Sequence, residues 1–378
     1  MAMKRFFYLF ALLFLFKSAS PQTPANDSHW NLVWSDDFTG SSVDNTKWSK
    51  IYGWGSCSDE SALTTDGSNH LFNDGILKLM TYEHSGTCFW WQGGDTPVTY
   101  SKSYTSGHLI SKPAFKYGFF EIRSRFPKNY IRFNVNGGIQ IHNGEGFSPT
   151  FWLFPCYKNA YTGYVKYSEI DIYEIKGKTN TYTCNAHYAT ADSFCLQDDH
   201  LWPSWSYHSD ADSAYWFAVN DGAFHIYAME WDSLSIKYYF DGDLVCEARN
   251  GTFFVPGNLL PMNIIVANSA YSSNNGIPVS QNTILPYSYD IDYVRVYNLE
   301  CDEDVVIDEI LDYRNYYHSV KKSISMGSST FLPTDTTIFL RATDYIELKT
   351  GFISPDSSQL NLIIDSSCGN ATSFNYPW

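Results

Sequence analysis

Short runs in which apolar and polar residues alternate recur along this chain, separated by glycine, asparagine, aspartate and proline. Such alternation is typical of β-strands, because successive side chains of a strand point to opposite faces of the sheet. The clearest runs are Ile76–Met80, Gly118–Phe126, Ser168–Ile175, His225–Trp231, Ile236–Phe240 and Ile291–Tyr297. Helical periodicity is nearly absent. The pattern predicts an all-β sandwich or barrel, built from two packed antiparallel sheets.

The N-terminal residues have the pattern of a secretory signal peptide. Lys4 and Arg5 precede an apolar stretch from Phe6 to Phe16, and small residues follow at 18–20. The apolar stretch is too short to span a bilayer, so residues 1–20 are predicted to be removed on export. We therefore expect a secreted protein, located outside the cell, at the cell surface or in the periplasm, without a membrane span.

A charged break at 301–304 follows the run that ends at Tyr297, and we place a domain boundary there. Residues 28–298 are predicted to form the β-sandwich. Residues 302–378 have an alternation of their own and are predicted to form a small β-rich C-terminal domain. The sequence does not indicate a role for it.

The net charge of the chain argues against some classes of binding partner. The formal net charge is −15, and removal of residues 1–20, which carry three cations and no acid, takes it to −18. A chain this acidic is a poor candidate for binding nucleic acid or an anionic membrane.

The eight cysteines are expected to be mostly paired in an exported chain. Candidate pairs, judged by position alone, are Cys57 with Cys88, Cys184 with Cys195, and Cys301 with Cys368. No Cys-x-x-Cys pair occurs, which argues against a zinc ribbon or a thioredoxin-like site.

Three carboxylates lie in an isoleucine-rich run at residues 168–175. In a regular strand Glu169 and Asp171 share one face, but Glu174 has the wrong parity. A β-bulge at Ile172–Tyr173 would return Glu174 to the acidic face and Ile175 to the buried one. Nearby carboxyl groups in unlike environments are what cleavage of a glycosidic bond requires. A solvated sheet face bearing charges is the alternative for an isolated acidic strand.

The acidic run resembles the Glu-x-Asp-x-x-Glu signature of glycoside hydrolase family 16, and further blocks follow in the order of that family. These blocks are Leu32–Gly40 with Trp48, Tyr104–Ile110, Tyr117–Pro127, Phe151–Pro155, Phe224–Trp231 and Asp290–Tyr297. An ordered set of blocks is more specific than any one motif. The resemblance implies a jelly-roll sandwich with a concave substrate cleft. It also implies retaining hydrolysis of β-linked polysaccharide.

By position in the motif, Glu169 matches the nucleophile, Asp171 the assisting carboxylate and Glu174 the acid/base. The bulged spacing resembles the laminarinase, agarase and carrageenase branches. Asp171 between the two glutamates would help to keep Glu174 protonated.

Six further residues are candidates for the site. We predict that substrate is bound by Tyr167, Trp152, His187, Glu121 and Arg123. Each of these has a structural alternative, such as core packing or an ordinary salt-bridged face. Asp292 resembles a family position that ligates a structural calcium, a weak signal because calcium needs several oxygen ligands. No cofactor is predicted for catalysis.

The sequence therefore predicts a monomeric, secreted, retaining endo-glycosidase. β-1,3-Glucan is the first substrate expected, as for a laminarinase, and an algal galactan such as agar, porphyran or carrageenan is the close alternative. Two hypotheses of other classes stay open: a non-catalytic carbohydrate-binding protein on the same sandwich, and a surface adhesin whose working part is the C-terminal segment.

Overall fold

The computed structural model describes residues 30–91, 96–126, 130–133, 139–142, 145–155, 168–177, 182–188, 221–232, 235–249, 259–272, 278–279, 283, 285–299, 304–307, 321–327, 337–354, 356–364 and 372–375. Over these ranges the chain forms strands, turns and irregular loops but no helix, which confirms the all-β prediction. The described part of the chain thus contains no helix with the length and apolarity that a bilayer crossing requires.

The described strands number 26, and most are short. They are β1 (Trp30–Asp36), β2 (Trp48–Ser49), β3 (Cys57–Ser58), β4 (Ser61–Leu63), β5 (His70–Asn73), β6 (Ile76–Tyr82), β7 (Gly86–Trp90), β8 (Val98–Lys102), β9 (Tyr104–Ser106), β10 (His108–Lys116), β11 (Gly118–Arg125), β12 (Tyr130–Phe133), β13 (Ile139–His142), β14 (Phe147–Phe154), β15 (Ser168–Glu174), β16 (Thr183–Tyr188), β17 (His225–Trp231), β18 (Ser235–Phe240), β19 (Asp243–Arg249), β20 (Met262–Ala270), β21 (Tyr287–Leu299), β22 (Asp304–Ile307), β23 (Lys321–Met326), β24 (Thr337–Leu348), β25 (Gln359–Ile364) and β26 (Thr372–Asn375).

Two large sheets make up the sandwich. The seven-stranded sheet, called the cleft sheet below, has the order β16-β15-β14-β20-β10-β2, with β26 also paired to β10. The eleven-stranded sheet, called the opposite sheet, has the order β19-β18-β17-β11-β21-β6-β9-β4-β3, with β1 on β21 and β5 on β6. Adjacent strands are antiparallel except for the pair β4 and β9. This is the jelly-roll sandwich that the family resemblance implied.

The main core fills the space between the two sheets, and the alternation of each strand supplies it. On β11, Phe120 and Ile122 enter the core, and on β20 Ile264 and Val266 do so. All four are fully buried. Burial of a large apolar side chain contributes about 1.5–3 kcal/mol, so this shared interior fixes which face of each strand points outward.

A second apolar cluster lies on the other face of the cleft sheet. It joins Tyr52 and Trp54, from the loop after β2, to Ile110, Phe154 and Ile265 of the sheet. The Tyr52 and Trp54 rings stack with centroids 4.5 Å apart.

A disulfide fastens the next stretch of this loop region. It joins Cys57 to Cys88, as predicted. Cys195, Cys301 and Cys368 lie outside the described residues, so the other two predicted pairs stay predictions.

The C-terminal strands form a separate four-stranded parallel sheet, in the order β22-β23-β24-β25, around a small core of its own. A strand pairing and a buried ion pair tie the described part of this segment to the sandwich. The last strand, β26, pairs with β10 of the cleft sheet, and the buried Arg341 of β24 lies 3.1 Å from Asp232, which follows β17. The predicted division into domains stays a prediction. Strand β26 lies in the predicted C-terminal domain by sequence but pairs with the cleft sheet.

Candidate active site

A bulge interrupts β15 where the sequence predicts it. Against β14, Phe151 is opposite Tyr173 whereas Trp152 is opposite Asp171, so the register shifts by one residue. Against β16, the pairing likewise skips between Asp171 and Glu174. The extra residue lies within Ile172–Tyr173, where two residues occupy the space of one.

The bulge sorts the side chains of this strand into two sets. Those of the first set are buried in the main core: Ile170, Ile172, Tyr173 and Ile175. Glu169, Asp171 and Glu174 instead line a common cleft on the other face. The prediction that Glu174 joins the other two acids, and that Ile175 returns to the core, is confirmed.

Strands β14 and β20 supply one side of the cleft. On β14 every second residue faces it, because the intervening residues enter the core. Besides the three acids, the lining consists of Tyr52, Ser58, Asp59, Ser148, Thr150, Trp152, Ala267 and Ser269. Hydroxyl groups and aromatic rings beside carboxylates suit a ligand rich in hydroxyls.

His187 lies on β16, directly opposite Glu169. Its Nε2 is 3.0 Å from Asp171 Oδ2, and the nearest polar atoms of the three residues lie within 4.8 Å of one another. Burial lowers the pKa of His187, but the hydrogen bond to Asp171 and the three surrounding carboxylates outweigh it and raise the pKa to about 9. His187 is therefore a cation at neutral pH, and its Nε2–H donates a hydrogen bond to Asp171.

Glu174 has a different environment from the other two acids. Burial raises its pKa, and the Asp171 carboxylate raises it further, whereas Lys176 and His187 oppose the rise. Lys176 Nζ lies 3.0 Å from Glu174 Oε2. A carboxyl whose pKa is raised in this way is suited to donate a proton.

The substrate-binding predictions for this face divide into three outcomes. Trp152 lines the cleft and is half-buried, so its placement agrees with the prediction. His187 is brought to the acids, where it bonds Asp171. Tyr167 lies outside the described residues. Contact of any of them with substrate stays a prediction.

The structure corrects the predictions for Glu121 and Arg123. Both lie on β11 in the opposite sheet, on the face away from the core, because Phe120 and Ile122 fill the inner face. Phe119, on the same outer face of β11, belongs to a separate apolar cluster rather than to the main core. The two residues therefore do not line the cleft.

Asp292 lies on the same outer face, and its carboxylate forms an ion pair with Arg123. The one group of three potential metal ligands within the described ranges is that of Glu169, Asp171 and His187, and it does not include Asp292. A carboxylate already neutralised by arginine, without further acidic partners, does not fit the oxygen-rich shell of calcium. Calcium binding at Asp292 stays a prediction.

The trio of Glu169, Asp171 and His187 has the ligand types for a transition metal. To bind a metal, His187 would have to lose the proton that the neighbouring carboxylates stabilise. The protonated His187 therefore suits this trio to proton transfer rather than to metal binding.

Sequence reasoning missed Asp59, which lines the cleft beside Ser58. Its side chain reaches solvent, yet the cleft walls surround it. The surrounding walls and the neighbouring Glu60 raise the pKa of Asp59, against the effect of Lys102. The sequence signal that could have found Asp59 is the polar run that begins at Cys57, whose disulfide anchors this stretch.

Comparisons with known proteins bear on this site. The sequence model of Glycosyl hydrolases family 16 matches residues 58–276. Glucan endo-1,3-beta-glucosidase A1 of Niallia circulans is 24% identical over 294 residues, covering 71% of this chain and 38% of that protein. Kappa-carrageenase of Pseudoalteromonas carrageenovora is 26% identical over 278 residues, covering 70% of this chain and 63% of the carrageenase. The chain thus spans less than two thirds of either curated relative.

Among solved structures, LamA of Z. galactanivorans in complex with laminaritriose and laminaritetraose superimposes with a TM-score of 0.51. It is 23% identical, and the match covers 70% of this chain and 98% of that chain. A likeness at this level of identity shows the fold. The family match covers more than half of this chain and includes all three acids of the cleft, so the chain belongs to glycosyl hydrolase family 16.

Proposed function

We propose that the protein is a secreted endo-glycosidase that hydrolyses β-linked polysaccharide with retention of configuration, and that β-1,3-glucan is its substrate. The observation that carries this proposal is the bulged strand, which presents three acids of unlike environment on one face of one cleft. Retaining hydrolysis needs one carboxylate to attack and one carboxylic acid to protonate the leaving oxygen.

In the first step, Glu169 attacks the anomeric carbon as a carboxylate, and the bond to the leaving oxygen breaks. Glu174 delivers its proton to that oxygen, a role that its raised pKa supports. In the second step, Glu174 as carboxylate removes a proton from water. The water then displaces Glu169 from the sugar, which restores both groups.

Asp171 and His187 assist these steps without changing covalent partners. The Asp171 carboxylate disfavours a second charge nearby and so favours protonated Glu174. The cationic His187 holds Asp171 by a hydrogen bond. This pair fixes the orientation of the central acid between the two reacting glutamates.

The charge of the cleft supports a neutral glucan over a sulfated galactan. Its described lining carries Asp59, Glu169, Asp171 and Glu174 and no cation. The nearby Lys176 and His187 are each paired with one of these acids. A sulfate ester would face uncompensated negative charge there. One relative is named as a glucanase and another as a carrageenase. Cleavage of a galactan is therefore an outcome that the test must distinguish.

The test incubates the purified protein with laminarin, lichenan, agarose, porphyran and carrageenan and sizes the products over time. We expect laminarin to be shortened to a ladder of oligosaccharides whose new reducing ends first appear as the β-anomer. Cleavage of a galactan alone would overturn the substrate, and inverted product would overturn the double displacement. Binding of laminarin without cleavage would favour the carbohydrate-binding alternative.

A further inference from the structure

Behind the cleft wall lies a histidine to which the proposed chemistry assigns no role. His108, the first residue of β10, is fully buried. Its Nδ1 lies 3.0 Å from the Tyr52 hydroxyl, and its Nε2 lies 3.0 Å from Ser269 Oγ. One imidazole thus bridges a loop residue and a residue of the central strand β20.

The network continues to a third side chain. Ser269 Oγ lies 2.8 Å from Ser58 Oγ, and Ser58 precedes Asp59 in the disulfide-anchored stretch. Tyr52, Ser58 and Ser269 all line the cleft, whereas His108 does not reach it. His108 therefore contacts residues of the cleft wall on the side that faces away from the cleft.

The chemistry of a neutral imidazole gives this network a direction. Burial lowers the pKa of His108 to about 3, with His70 contributing, so the ring stays uncharged at any pH of interest. A neutral imidazole has one N–H donor and one nitrogen acceptor. In either tautomer, one of the Tyr52 and Ser269 hydroxyls accepts a hydrogen bond from the ring and the other donates one to it.

The network lies beside the acidic row. Tyr52 contacts Trp152 edge-on, with centroids 6.4 Å apart, and Trp152 pairs with Asp171 across the strands. A sugar held at the proposed nucleophile would therefore meet these oriented hydroxyls on its flank. Hydroxyls fixed before binding lose less conformational freedom when they bond a ligand.

We propose that His108 is a positioning residue, whose neutral imidazole fixes the hydroxyls of Tyr52 and Ser269, and through Ser269 that of Ser58, to bind the hydroxyls of a sugar unit next to the cleavage point. This inference rests on the proposed function and extends it to the recognition of substrate. It predicts an effect on binding of the sugar chain rather than on the chemical step.

The test compares steady-state kinetics of wild type, His108→Leu, His108→Gln and His108→Asn on laminarin. Leucine removes both hydrogen bonds and should raise KM about tenfold, with kcat within about threefold of wild type, as expected for loss of uniform binding. Glutamine can replace Nε2, and asparagine can replace Nδ1, so each should restore part of the lost affinity.

The matched control is His70→Gln. His70 is also buried, and its Nε2 contacts the backbone oxygen of His108 at 2.8 Å rather than a side chain of the cleft. Glutamine retains an N–H donor there, so KM should not change. Lower thermal stability of the His108 variants with unchanged KM would overturn the proposal, as would a fall in kcat at constant KM.

Tyr52→Phe and Ser269→Ala provide a second measurement if His108→Leu does not fold. Each removes one hydroxyl of the network and should raise KM. Combined with His108→Gln, Tyr52→Phe should add little, because that hydroxyl has already lost its partner. Strictly additive effects would overturn a network that acts as a unit.

Failure of the proposed function has a separate signature. If wild type cleaves none of the polysaccharides, calorimetric titration of wild type and His108→Leu with a laminari-oligosaccharide tests positioning without turnover. Weaker binding by the variant then supports this inference while the hydrolase proposal fails. Equal binding, or no binding by wild type, counts against both.

Discussion

Strands β11 and β15 are alike in sequence pattern and opposite in their surroundings. Both alternate charged residues with large apolar ones, and both pack their apolar set into the main core. On β15 the charged set lines the cleft, whereas Glu121 and Arg123 of β11 lie on the far side of the opposite sheet. Alternation shows which residues share a face, but the topology decides what that face looks onto.

The partners of the charges differ in the same way. On β11, Arg123 is neutralised by Asp292, an ordinary cross-strand ion pair. On β15 three acids share two cations, Lys176 and His187, and the Asp171 carboxylate raises the pKa of Glu174. Crowding of like charges at a cleft distinguishes this site from the outer face of β11.

The largest expected contrast lies between Glu169 and Glu121. Glu169→Gln should lower kcat on laminarin by at least about a thousandfold, because an amide cannot form the covalent intermediate. Glu121→Gln, the same change on the opposite sheet, should leave kcat and KM as in wild type. Circular dichroism should show both variants folded. Comparable activity losses in both variants would remove the functional distinction between the two strands.

Glu174→Gln should lower kcat on polysaccharide by about 10²–10⁴, the usual contribution of a general acid. The first step on an aryl glycoside with a good leaving group should be affected much less, since that leaving group requires no proton. Rapid-quench measurement of the released phenol tests this. Equal losses on both substrates would contradict the assignment of Glu174 as acid.

Lys176 tunes Glu174, and Lys176→Met isolates that effect. The cation favours the carboxylate, so its removal should raise the pKa of Glu174 further. The acid would stay protonated to higher pH, and the alkaline limb of kcat/KM should move upward. Lys116→Met, at the last residue of β10, should not move it. A downward shift would mean that another group sets this limb.

His187 should make the stability of the fold depend on pH. Its pKa in the folded protein is about 9, above the ordinary value of 6.5. Protonation therefore stabilises the fold, fully below about pH 6.5, and this stabilisation is lost as pH rises through about 9. Thermal melts of wild type and His187→Gln should converge at high pH. A constant difference in Tm would show that the pair contributes nothing by charge.

The smallest effect is expected at Arg123. Its side chain and that of Asp292 are each about a third exposed, and such pairs contribute roughly 0–1 kcal/mol to the free energy of unfolding. Arg123→Met should lower that free energy within this range in urea titrations and leave KM for laminarin unchanged. A raised KM would return β11 to the list of substrate-binding elements.

Much of the cleft could be predicted from local sequence, since the bulge at Ile172–Tyr173 and the common face of three acids follow from parity and the need to bury isoleucine. The wall formed by Tyr52, Ser58 and Ser269 could not. Tyr52 and Ser58 come from the stretch after β2 and Ser269 from β20, and a buried histidine of β10 joins them. No local pattern marks such a convergence.

The sequence by itself determined the strands, the sorting of side chains within each strand and the order of the acids, because these depend on periodicity and on the burial of apolar surface. Only the tertiary structure decided which outer face carries the cleft, since that depends on how distant strands pair. It therefore placed Glu121 and Arg123 outside the site, brought Asp59 into its lining and placed His108 behind that lining.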